Sequence, residues 1–182
     1  MSSDLIIQPL FPDEWEYVAE ICKVRGVEVP ERYCGETDDY LLISLFNLAS
    51  IGCFIDYAAS IEGLQPQDAM DKTSFRNLPW WIEQYWLPLD FEAPIVRNHM
   101  AVGSSIRLLE ELERIKAMSA IDIAALPRGY ADMRTDYTSW FNAPATDDER
   151  LSDDDVLRWI WNAFHESARI SIEEQVPIKL AP

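Results

Sequence analysis

The chain has 182 residues, of which 48% are hydrophobic and 12% aromatic, a composition that excludes a disordered protein. Against 15 basic residues it carries 32 acidic ones, a net charge of −17 that repels nucleic acid and anionic membranes and attracts basic partners. The excess is spread along the chain: residues 1–36 hold 8 acidic and 3 basic groups, 37–75 hold 6 and 1, 76–118 hold 6 and 5, and 119–182 hold 12 and 6. Cys22, Cys34 and Cys53 match no zinc or redox spacing. Cys22 and Cys53 lie in apolar stretches and read as buried small hydrophobes, which suits a reducing, cytoplasmic setting.

Residues 1–12, with Leu5, Ile6 and Ile7 before Pro9 and Pro12, read as extended, and the MSSDLIIQ start has no basic and apolar signal-peptide pattern. A first helix is expected over 13–25. Trp15, Val18, Ala19 and Cys22 recur at i, i+3, i+4 and i+7, Asp13 and Glu16 make an acidic capping box, and Gly26 is the stop. Pro30 and Gly35 break the loop that follows. Tyr40–Ile55 is the most apolar run and lacks any charge. Its length falls short of the roughly 18–20 residues needed to cross a bilayer, so it reads as the central helix of a bundle, running from Thr37 to about Ser60.

A short helix is expected at 66–72, then a two-turn helix between Pro79 and Pro88 bearing Trp80, Trp81, Tyr85 and Trp86. Val102, Ile106, Leu109, Leu112 and Ile115 predict a long helix over 96–118, with Gly103 allowing a later start at Ser104 or Ser105, and Glu110 paired to Arg114. Short helices are expected at 121–126 and 128–141. Ser152-Asp153-Asp154-Asp155 caps a last helix that ends near Glu174, before Pro177. Residues 176–182 read as an extended or frayed end. The resulting expectation is an all-α, single-domain bundle over 1–182, of five to seven helices.

No catalytic or nucleotide-binding motif is present. His165-Glu166 opens like a zinc-protease signature, but Arg169 stands where its second histidine belongs. Six scattered glycines form no phosphate-cradling loop, and the acidic run 147–155 lacks the spacing of a calcium loop. No cofactor or metal is therefore expected, and the chain reads as a non-enzyme. Asp147, Asp148 and Glu149 have no helix-capping role and suit the rim of a contact with a basic protein. Trp80, Trp81 and Trp86 are the residue type that anchors interfaces. These residues point to an acidic cytoplasmic binding module, an inhibitor or immunity-type protein that blocks a basic toxin or nucleic-acid enzyme. A subunit of a larger assembly, and an enzyme whose site forms only by tertiary contact, are the alternatives.

Overall fold

The computed structural model describes residues 4–35, 41–45, 48–81, 83–127 and 152–181. Among these, five α-helices flank a six-stranded mixed sheet, so the fold is mixed α/β and the all-α expectation is overturned. In chain order the elements are β1 (Asp4–Ile7), α1 (Pro12–Lys23), a 3-10 turn (Glu31–Tyr33), β2 (Leu41–Ser44), α2 (Leu48–Ile61), α3 (Pro66–Lys72) and β3 (Glu83–Leu87). Then follow β4 (Ile95–Arg97), β5 (Met100–Ser104), α4 (Ser105–Met118), α5 (Asp153–Glu174) and β6 (Ile178–Ala181). No described helix is long and apolar enough to cross a membrane.

The strand order is β2-β1-β6-β3-β5-β4, antiparallel throughout except for the parallel pair β3–β5. Alternation along each strand assigns side chains to faces. Ile43, Leu5, Leu180 and Trp86 point to a core shared with α2, α4 and α5, where Phe54, Leu112 and Phe164 are fully buried. Tyr85, Leu87, Val102 and Ile95 point to a second core closed by Val18, Ile21 and Cys22 of α1. Burial pushes the Cys22 thiol up to about 12, which makes it an inert core group.

Short apolar runs that fit a helical period form strands here through tertiary pairing. The Tyr40–Ile55 run is no single helix. Leu41–Ser44 of it form edge strand β2, and residues 48–55 lie in α2, which packs on α5. Cys53, expected in the core, is exposed on α2. The helix between Pro79 and Pro88 is instead β3, an interior strand buried on both faces. The helix over 96–118 is a hairpin followed by α4. Its turn residues Asn98 and His99 both have positive φ, at 48° and 71°, as a two-residue turn between twisted strands requires. Gly103 holds β5 close to its neighbours: a Cβ there would lie 2.9 Å from Cδ1 of Trp86 and 3.1 Å from Oδ1 of Asn77.

Ser104 caps α4, accepting from the Arg107 amide at 3.2 Å, so the later start is the observed one. Glu110 pairs with Arg107 and not with Arg114. On α1, Phe11 is the N-cap, and Glu14 rather than Glu16 reaches back to its amide, at 3.2 Å. Residues 121–126 form turns, not a helix, and 128–141 lie outside the described residues. The C-terminal tail is not frayed: β6 inserts between β1 and β3.

Candidate protein-binding surface

Two carboxylates draw attention by their surroundings, and both are occupied by the chain itself. Glu111 of α4 is only 6% exposed. Its oxygens accept from the Asn77 amide at 3.0 and 2.8 Å and from Asn77 Nδ2 at 3.0 Å. The same asparagine accepts from the Ser104 amide at 3.0 Å and, through its carbonyl, from the Trp86 indole at 2.7 Å. The Asn77 side chain thus ties α4 to the Ser104 cap at the end of β5, and its backbone carbonyl adds Trp86 of β3. Burial pushes the Glu111 carboxyl up to about 7, against the pull of the Asn77 donors. Glu62, in the turn just after α2, accepts from Thr73 at 2.6 Å and from the Ser74 amide and hydroxyl. Burial works to raise it, yet these bonds and Arg114 hold it below the usual carboxylate value. Raised or depressed carboxylates often mark catalytic clefts. Here both are fastenings of the 73–77 loop.

The histidines and Cys34 do not converge. His99 sits in the exposed hairpin turn, and His165 of α5 stacks on Trp161 and bonds Glu113 at 2.7 Å. Cys34 pairs through its backbone with Leu10. Among the described residues, no group of three or more His, Cys, Asp or Glu side chains could hold a metal ion.

The remaining chemistry is surface charge, and its distribution depends on where the cations go. Arg97 is bound by Glu20 at 2.8 Å, Arg107 by Asp90 at 2.7 Å and Glu110 at 2.8 Å, Arg158 by Asp155 at 3.1 Å, and Lys179 by Glu14. Such pairs stabilise little at the surface. They do, however, cancel the cations against part of the acid and leave the rest bare. Asp122, Asp153 and Asp154 are exposed and have no ion pair among the described residues.

Topology gathers these three. Ser152 caps α5, accepting from the Asp155 amide at 3.2 Å, so Asp153 and Asp154 stand in a first turn where the helix dipole favours negative charge. The Asp122 carbonyl accepts from Arg158 Nε at 3.1 Å, which sets the turn after α4 against the beginning of α5. Gln175, in the left-handed conformation, reverses the chain from α5 into β6. The β6 register against β3 then puts the head of α5 at the end of the sheet where β3 begins. Glu83 is exposed at that end, and Trp80 and Trp81 lie three and two residues before it in sequence, both half-buried. A helix of 22 residues is about 33 Å long, so this end lies far from the second group of bare acids, Glu28 and Glu31, beside Arg32 and Gln175.

Of the three tryptophans expected at a contact, Trp86 is fully buried, edge-on to Phe164 at 5.7 Å, and has no free face. Trp80 commits its indole to the Phe75 carbonyl at 2.8 Å, while Trp81 lies at the β3 end. Asp147, Asp148 and Glu149 lie outside the described residues. Asp122 and Glu83 were missed because, in sequence, each is a lone acid with no neighbour of like charge.

Residues 82–180, more than half of the chain, match the family model described as "Putative DNA-mimic protein". The chain belongs to this family. No curated protein and no solved structure matches it. The family region takes in the head of α5, Asp122, Glu83 and the run 147–149, and it leaves out α1, Glu28 and Glu31. Of the two acidic ends, the α5 head is therefore the one that belongs to the family's shared part.

Proposed function

We propose that the chain is a DNA mimic that occupies the nucleic-acid-binding surface of a basic protein and so keeps DNA off it. One observation carries the reading: exposed carboxylates at the head of α5, within the family region, that make no ion pair among the described residues. Duplex DNA presents about one negative charge per 1.7 Å of axis, and the Lys and Arg groups that meet it form a dense cationic surface. Asp122, Asp153 and Asp154 offer acceptors to such groups. Asp147, Asp148 and Glu149, a few residues before α5, extend the same contact. Trp81 and Trp80 supply the aromatic part of its rim, whereas Trp86 serves the core alone. Bare charge steers encounter, and bulk blocks the DNA site.

The test is a charge-neutral variant, D147N/D148N/E149Q/D153N/D154N, offered to the basic protein that the native chain captures from its host. The expected result is a tenfold or greater loss of affinity, with a shallower dependence on salt concentration. Unchanged affinity and salt dependence would remove the α5 head from the contact.

A further inference from the structure

A shallow groove of about 670 Å³ runs between α1 and edge strand β4, lined by Glu20, Ile21, Lys23, Val24, Ile95 and Arg97 together with Val96. Three features combine in it. First, its aliphatic groups are uncovered: Val24 is 70% exposed and Val96 is 48% exposed. Second, β4 ends the sheet, with β5 as its only neighbour among the described residues. In a two-residue hairpin the closing pair, here Arg97 and Met100, exchanges both hydrogen bonds. The next residue, Val96, then turns its N–H and C=O outward. Third, the acid excess vanishes here. Lys23 and Arg97 stand against the single acid Glu20, and Glu20 spans the groove to Arg97.

We propose that this groove is a self-association surface, occupied by the same groove of a second copy about a twofold axis. Two chains of net charge −17 repel over most of their surface, and this patch is where two copies can approach without that penalty. An isologous contact must be complementary to itself. Lys23 and Glu20 sit three residues apart near the C-terminal end of α1, so each Lys23 can meet Glu20 of the partner subunit. Val96 can pair its backbone with its own symmetry mate, and Val24 and Val96 lose their exposure. The proposal is independent of the DNA-mimic reading and concerns a different face.

Light scattering on the full chain across a concentration series tests it. The expected result is a mass approaching twice 21.0 kDa as concentration rises. V24E/V96E and, separately, K23E should return the mass to that of a monomer with an unchanged circular dichroism spectrum. M70E, which charges an exposed apolar side chain of α3, should leave the dimer intact. A monomer at every concentration would overturn the proposal. So would a dimer that survives V24E/V96E and K23E, or one lost equally in M70E.

Discussion

Replacing Asn77 with alanine tests whether one buried side chain holds the helix layer to the sheet. The substitution deletes the bond from Nδ2 to Glu111 and the bond that Oδ1 accepts from the Ser104 amide. Above pH 7, where Glu111 is ionised, a hydrogen bond to a charged group contributes about 1.5–3 kcal/mol, and a buried amide left without an acceptor costs about 1–3 kcal/mol. The expected loss is about 3–5 kcal/mol, a large part of the roughly 5–15 kcal/mol that stabilises a domain. At about 2–4 °C per kcal/mol for a chain of this size, the Tm should fall by about 10 °C. Urea unfolding followed by tryptophan fluorescence reads the change directly, since Trp86 bonds the Asn77 carbonyl. A loss below about 1 kcal/mol, the size expected of a neutral pair, would refute the assignment of Asn77 as a hub.

Three further outcomes follow from the interior. Gly103→Ala should destabilise by about 1–3 kcal/mol, because the added methyl meets Trp86 and Asn77 and the core is already filled; an unchanged midpoint would show that the indole can move aside. Stability should fall as pH rises from about 5 to 8. The folded chain keeps a proton on Glu111, at about 7, that the unfolded chain releases near 4.5, so the contribution is full below 4.5 and is lost through 7. The fall should reach about 3 kcal/mol. A flat or rising profile over that window would contradict it, and Glu62 acts in a lower window, losing its contribution as pH drops through its depressed value. Tyr33→Phe should leave stability unchanged or raise it by about 1 kcal/mol, because the buried Tyr33 hydroxyl has no partner among the described residues; a loss of that size would reveal one.

Helices with local start signals were legible in the sequence: Ser152 and three aspartates marked α5, Pro66 opened α3, and the Val18–Cys22 stripe marked α1. The sheet was not, because strands carry no local signal when both faces are buried. Glu83–Leu87 alternates only between two cores, and Leu41–Ser44 continues without a break in polarity towards α2. The Asn98–His99 turn lacks the glycine that announces most hairpins of its kind. Expecting a basic protein partner needed only net charge. Finding the surface needed tertiary pairing, which decides where cations cancel acid and which of Trp80, Trp81 and Trp86 are left with an open face.

The most direct test of the central claim is competition with DNA. A basic partner captured by the native chain is held at fixed concentration with labelled duplex DNA, and fluorescence anisotropy follows the label as the chain is added. The account predicts that the chain displaces DNA in full, that excess duplex displaces the chain in turn, and that salt weakens both alike. A ternary complex in which the partner holds DNA and the chain together would contradict it.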